Sequence, residues 1–354
     1  MNNLKKFFGV IFFVALSLGL FAQESAMNTY DFLKLSNSAR VASLGGDLIS
    51  VKDNDLNLTF HNPSLLNSSM DNNIVLNYIT YFSDINFGYI SYSKSFEKKG
   101  NFAVGLHYIN YGEFIEANEF GDITGNKFYA SEYALNLLWS KSLDSLFSIG
   151  INMKPVYSKL ETYESYGIAG DIGITYNNEK KLFAAALVVK NIGSQIKTYH
   201  DENFEPLPFD VQLGISVKAK HAPFRLSFLG HNLHKFDLTY EDPQNPSETI
   251  DPISGEVQSE SKINRFSNKL FRHLIVGVEF IPSKNFFVNL GYNHQRREEL
   301  KLSTRTYIAG FSWGFGLKLS KFKLSYGSAT YHLAGSSNHF SLSMNLNEFY
   351  SKKS

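Results

Sequence analysis

Residues 311–320 read Phe-Ser-Trp-Gly-Phe-Gly-Leu-Lys-Leu-Ser. Phe311, Trp313, Phe315, Leu317 and Leu319 share one face if the stretch is extended, and Ser312, Gly314, Gly316, Lys318 and Ser320 share the other. Alternation with a period of two is the mark of a strand, whose successive side chains point to opposite faces. Ten residues is also about what a tilted strand needs to cross a bilayer. The unit recurs almost to the end of the chain. Repetition of a bilayer-length alternating strand predicts an all-β chain closed into a transmembrane barrel.

Strands are expected at about 74–82, 84–94, 101–111, 130–140, 146–158, 164–177, 182–191, 208–218, 223–232, 272–281, 285–295, 308–319, 321–332 and 339–348. That makes a 14-stranded barrel, an even number as in single-chain bacterial outer-membrane barrels. Phe147, Ile149, Ile151 and Met153 oppose Ser148, Gly150, Asn152 and Lys154. Phe209, Val211, Leu213, Ile215 and Val217 oppose Asp210, Gln212, Gly214, Ser216 and Lys218. Residues 182–191 are apolar on both sides and are assigned to a strand by their neighbours. A soluble barrel would turn its large apolar side chains inward. Here strand length, small polar residues opposite the aromatics, and an export signal place them outward, with a periplasmic sandwich as the alternative.

That signal is Lys5 and Lys6 followed by an apolar run over 7–21 and then Ala22. The run is shorter than the roughly 18 apolar residues of a spanning helix. It reads as a signal peptide at 1–22, cleaved after Ala22, so the mature chain is expected in the outer membrane. The chain has no cysteine, which excludes disulfides and thiolate chemistry. With 34 basic against 33 acidic residues it lacks the excess positive charge of a nucleic-acid binder. Charged residues make up 19 %, below the roughly 25 % of soluble proteins. This agrees with half of every strand facing lipid.

Residues 23–72 precede the barrel at 73–349. They carry apolar residues such as Phe32, Leu33, Val41, Leu44, Leu56 and Phe60, two adjacent glycines (Gly45, Gly46) and a compact run from His61 to Leu66 that contains Pro63. This is expected to form a small N-terminal hatch or plug in the barrel mouth, or a cover over its periplasmic end. Connections after even strands are short, and most of those after odd strands are long, as periplasmic turns and external loops are. Both termini are therefore expected in the periplasm. The longest external loop, 233–271, exceeds what a connection needs and is a candidate binding surface. The loop 112–129 is second.

No constellation for catalysis stands out. Ser312 lies in a Gly-x-Ser-x-Gly spacing, but a nucleophile elbow needs a strand-turn-helix context and Ser312 is mid-strand. His231, His234 and Asp237 cluster at a strand end, short of a full ligand set. Asp171 on the inner face could meet Lys154 or Lys218, with plain solvation in the lumen as the preferred reading. Glu113, Glu116, Glu119 and Asp122 read as a solvated acidic loop rather than a calcium cage. The protein is expected to be non-enzymatic, with no cofactor and no metal.

Several segments resemble the PorQ family of the Bacteroidota type IX secretion system, within the PorV/PorQ group of barrels that are similar to FadL fatty-acid transporters. These are residues 30–36 (Tyr-Asp-Phe-Leu-Lys-Leu-Ser), 38–46 (Ser-Ala-Arg-Val-Ala-Ser-Leu-Gly-Gly), 61–66 (His-Asn-Pro-Ser-Leu-Leu), 77–89, 108–112, 143–148, 206–210, 221–225 and 237–243. The resemblance covers nearly the whole mature chain. It implies a FadL-like barrel whose hatch motif is Ala39, Arg40, Gly45, Gly46, Asn62 and Pro63. It further implies a non-enzymatic component of the surface attachment complex with PorU and PorV. In that role the chain would anchor a PorZ-like surface protein while cargo is matured and joined to lipopolysaccharide. Partner-binding residues are expected in the external loops: Tyr240, Glu241, Asp242, Pro243, Pro246 and Asp251, with Glu119 and Phe120. The competing expectation is a FadL-like transporter or binder of hydrophobic small molecules, with an apolar pocket near the hatch and a strand kink, for which Pro155 is available.

Overall fold

The computed structural model describes residues 28–81, 84–118, 120, 122–200, 203–239, 249–250, 257–258, 262–300, 309–332 and 335–350. The expected signal peptide at 1–22 lies outside them, as do Glu119 and all six candidate residues between 240 and 251.

Alternation drives the chain into β1 (Asn73–Thr80), β2 (Asn86–Phe96), β3 (Gly100–Ala117), β4 (Ile123–Ser142), β5 (Phe147–Leu160), β6 (Tyr163–Asn178), β7 (Phe183–Lys197), β8 (Asp210–Lys218) and β9 (Phe224–Gly230). After a two-residue-per-strand ribbon of β10 (Thr249–Ile250) and β11 (Val257–Gln258) come β12 (Leu274–Ser283), β13 (Phe286–Asn293), β14 (Phe311–Leu319), β15 (Phe322–His332) and β16 (Gly335–Asn345). Apart from β10 and β11, each strand pairs antiparallel with its chain neighbour, and β16 closes on β1 from Asn73↔Asn345 to Thr80↔Asn338. The result is a closed antiparallel barrel of 14 strands. Closure leaves no open sheet edge around the ring.

The faces fall as the residue types dictate. On β14, Trp313 is 50 % exposed while Ser312 is 3 % exposed. The same outward belt of Phe, Leu, Ile and Tyr runs round the barrel, a lipid-facing surface. The inward face is Ser, Asn, Gly and Thr, and it is covered from within. No helix among the described residues is long and apolar enough to cross a membrane.

Residues 28–72 account for that covering. The short helix Ala39–Ser43 lies against β13 to β16, and the single turn Pro63–Leu65 against β4, β5 and β6. Glycines make room for both. Gly277 pairs with Gly291, and Gly314 with Gly327, so four wall positions facing the helix lack side chains. A β-carbon at Gly291 would come 2.2 Å from the Gly45 nitrogen, and one at Gly327 would come 2.3 Å from the Ala39 carbonyl oxygen. Across the lumen, Gly150 pairs with Gly173, and β-carbons there would meet Pro63 at 2.3 Å and Asn62 at 2.2 Å.

Three loop assignments are corrected. Residues 112–129 are largely strand rather than irregular loop: β3 continues to Ala117 and β4 begins at Ile123. The ladder from β2 to β3 ends at Asn86↔Asn110, and that from β4 to β5 ends at Ala130↔Leu160. Beyond those points β3 and β4 pair only with each other, from Glu113↔Tyr129 to Ala117↔Ile123, and form a two-stranded arm past the ring. The alternation in burial also stops there, because neither face has a neighbour to pack on. Likewise β7 runs on to Lys197, into what was expected to be loop. Within 233–271, the last ten residues form the helix Lys262–Phe271.

Candidate functional site in the barrel lumen

The hatch is fixed by charge at one point above all. Arg40 is 5 % exposed and reaches three carboxylates. Its Nε donates to Glu279 Oε1 at 2.9 Å, Nη1 to Asp55 Oδ2 at 3.0 Å and Nη2 to Asp53 Oδ2 at 2.8 Å. Arg225 of β9 joins from the wall at 3.0 Å to Glu279 and 3.4 Å to Asp53, and Lys323 of β15 approaches Asp55 at 3.8 Å. Three cations thus face three carboxylates, and the buried charge is compensated. Burial alone would raise the Asp53 carboxyl, but Arg40 and Arg225 prevail and hold it below the ordinary carboxylate range. Burial works against the Arg40 guanidinium too, and its carboxylates again prevail, holding it well above its usual value.

A second ionic point lies at Asp47. Its carboxylate accepts from Lys190 Nζ at 3.0 Å and Gln212 Nε2 at 2.7 Å, and its other oxygen is 2.7 Å from His61 Nδ1. Lys190 and His61 overcome burial and depress its carboxyl far below the usual range.

The structure brings all six hatch-motif residues to the wall. The Ala39 nitrogen donates to Ser341 Oγ at 2.9 Å. Gly45 and Gly46 have φ of +99° and +104°, conformations that favour glycine. This turn lets the Gly45 nitrogen donate to Ser312 Oγ at 3.0 Å, while Asn293 Nδ2 donates to the Gly45 carbonyl at 3.2 Å. Ser312 is therefore a tether between wall and hatch. Asn62 Nδ2 donates to the Ile49 carbonyl at 2.7 Å and to Thr175 Oγ1 at 2.9 Å. The expectation that Asp171 is solvated is corrected: it is fully buried and 2.6 Å from Lys154 Nζ, because the filled lumen leaves it no water layer. Lys218, its other suggested partner, is exposed.

At the end carrying the long connections, the inward face changes character. Ile79, Phe87, Ile109, Val156 and Leu207 form an apolar well, and Tyr30, Phe32 and Leu33 fill it. Tyr30 fits because Gly167 offers no side chain; a β-carbon there would lie 2.5 Å from the ring. Tyr30 Oη and Ser165 Oγ are 2.5 Å apart. Pro155 interrupts the adjacent wall. The β4–β5 ladder runs to Ala134↔Val156 and resumes only at Leu137↔Met153, since proline has no N–H to give.

Of the expected partner-binding residues only Phe120 is described, 82 % exposed at the tip of the arm. The arm also exposes Ile115, Ile123 and Tyr129, and Phe114 stacks on Phe128 with ring centres 5.2 Å apart. Its acidic residues are partly paired: Lys127 Nζ is 2.5 Å from Glu113, and Asn126 donates to Glu116 at 2.7 Å. His231, His234 and Asp237 do not converge. His231 Nδ1 accepts from Asn232, His234 packs its ring against Phe209, and Asp237 pairs with Lys269. The well and the ionic points were missed from the sequence. The signal for the well was present in the inward positions Ile79, Phe87, Ile109 and Val156, where large apolar residues replace small polar ones.

No family model matches the sequence, and no curated protein matches it. Solved structures do match in fold. The Pseudomonas putida toluene transporter TodX superposes with a TM-score of 0.51 at 13 % identity, covering 88 % of this chain and 99 % of that one. A deltaS2S3 mutant of TodX, described as a monoaromatic hydrocarbon channel, gives 0.52 at 12 % identity over 88 % and 99 %. A Pseudomonas aeruginosa FadL homologue gives 0.46 at 11 % identity over 87 % and 98 %. What is shared with TodX at such identities is the barrel fold alone.

Proposed function

We propose that this chain is an outer-membrane barrel that takes up small hydrophobic molecules, with residues 28–72 as its plug and the apolar well as its binding site. The well carries this reading. An inward face that is otherwise small and polar becomes apolar there, and Phe32 and Leu33 occupy it as a hydrophobic ligand would. The fold shared with the toluene transporter TodX supports the same direction. So does the Pro155 gap, which weakens the wall beside the well where an apolar molecule could leave sideways. On this reading the long connections are outside and both termini are periplasmic.

The test is ligand binding by the purified protein in detergent, with toluene and a fatty acid as probes. Replacing Phe32 and Leu33 together by Ala vacates the well and is expected to strengthen binding severalfold. No binding of either probe by the parent or the variant sinks the reading.

A second reading has its own observation. The β3–β4 arm stands beyond the ring with Ile115 and Ile123 exposed on its strands and Phe120 exposed at its tip. A protein surface can dock on such an arm, and the sequence resemblance suggests a PorZ-like partner in the PorU/PorV attachment complex, which joins cargo to lipopolysaccharide. Pull-down of such a partner from solubilised outer membrane, lost on deleting residues 113–128 or 241–262, would support anchoring. Recovery of apolar ligand with no partner would leave uptake as the account.

A further inference from the structure

Two polar cavities flank the hatch on the β7–β12 side of the lumen. One, about 340 Å³, lies toward the long connections and is lined by Asp47, Lys190, Asp210, Gln212, His231 and Arg296 among others. The second, about 230 Å³, lies toward the short turns and is lined by Lys52, Glu179, Ser216, Lys218 and Arg225 among others. Both touch β8, the first at Gln212 and the second at Ser216. Those two residues share the inward face and are about 13 Å apart at the usual strand rise.

A thin apolar layer separates them. Ala186, Gly214, Leu229 and Ile275 are direct cross-strand partners on β7, β8, β9 and β12, a single row across four strands. Ile49 of the hatch seats on this row, where a β-carbon at Gly214 would be 2.7 Å from its side chain. Val188 completes the cluster, and every member with a side chain is buried to 4 % exposure or less. The row above carries Gln212, and the row below carries Ser216 paired with Ser227. Polar, apolar, polar is the order along the wall.

We propose that the two cavities are vestibules of one path for small hydrophilic anions, closed by the collar around Ile49. A narrow apolar ring stops ions and water by dewetting, without a physical wall. The preference for anions follows from the lining. Lys52, Lys218 and Arg225 outnumber Glu179 in one vestibule, and Lys52 and Lys218 form no ion pair among the described residues. In the other, Lys34, Lys190 and Arg296 are matched by Asp47, Asp210 and Glu299, so the preference is set by the first vestibule. Ile49 is the hatch side chain nearest Gly214, with the Ser50 β-carbon next at 3.3 Å, so its removal thins the collar most while the rest of the plug stays seated. This path is separate from the apolar well, which lies beside β1 to β7.

The experiment is conductance of the purified full-length protein in planar bilayers bathed in potassium chloride. The parent is expected to be nearly silent. Ile49→Gly is expected to raise conductance severalfold, with a reversal potential in a salt gradient that favours chloride over potassium. Phe60→Ala is the control, since Phe60 packs in a different hatch cluster with Leu56, Leu66 and Met70. Leu229→Ala thins the same collar from the wall and replaces Ile49→Gly if that variant loses its folded, heat-modifiable migration. Equal conductance of parent and collar variants, an equal rise in Phe60→Ala, or potassium selectivity would each overturn the proposal.

Discussion

Arg40 in the hatch and Glu279 on β12 are 239 positions apart in the chain and meet at 2.9 Å through both Nε and Nη2. Neither is reached by water, at 5 % and 2 % exposure. The pair links the plug to the wall, and its loss would leave unpaired charge inside the barrel.

Arg40→Met should therefore cost about 3–5 kcal/mol, the range for breaking a buried ion pair from one side. Glu279→Gln in the same chain should return part of that loss, because Arg225 and Lys323 then face two carboxylates rather than three. Hydrogen exchange across residues 39–66, compared between parent, single and double variants, measures it.

Acid should release the plug. Asp47 and Asp53 are both held below the ordinary carboxylate value in the folded state. A depressed carboxyl stabilises the fold fully above its unfolded value, near pH 4, and progressively less as pH falls toward the folded value. Burial also lowers the hatch His61, which stays neutral in the fold where the unfolded chain would protonate it. Protease sensitivity of the hatch should thus begin to rise as pH falls below about 6.5 and rise further below about 4. A rise confined to neutral or alkaline pH would contradict the sign.

Gly291→Ala places a methyl group 2.2 Å from the Gly45 nitrogen, on backbone that cannot step aside. Overpacking of this kind costs about 1–3 kcal/mol. Gly335→Ala has nothing within 4 Å of the new carbon and serves as the silent comparison. Urea midpoints for hatch release should shift for the first and not for the second.

Ser312→Ala removes the closer of two acceptors for the Gly45 N–H, the other being the Ala42 carbonyl at 3.3 Å. A lost hydrogen bond of this type costs about 1 kcal/mol, and no more here because the donor keeps its second acceptor. A fluorophosphonate probe should label neither protein, since Ser312 sits mid-strand with the hatch upon it. Labelling of the parent alone would return Ser312 to the list of nucleophiles.

The barrel was legible because its rule is local. Phe311 to Leu319 alternate whether or not their neighbours are known, and the strand number followed from counting such runs. The arm was not legible, because past Asn110 and before Ala130 the strands pair with each other and no longer face lipid on one side. The residues there lose the period of two that made the others visible. The small inward residues could be read, but not their reason. Gly291 and Gly327 look like lumen spacers until Ala39 and Gly45 are placed against them. Arg40, Asp53 and Glu279 could not be joined in advance, since no sequence pattern pairs residues that only barrel closure brings together.

The seat of the helix Ala39–Ser43 has a consequence for biogenesis. Its glycine floor belongs to β12 to β15, and Ala39 bonds to Ser341, 302 positions later. This segment near the start of the chain thus has no finished berth until the last strands have been delivered and the ring has shut. Shortening the chain by its terminal strand would strand the plug outside a half-made cylinder, so that assembly becomes a single commitment rather than a succession of independent steps.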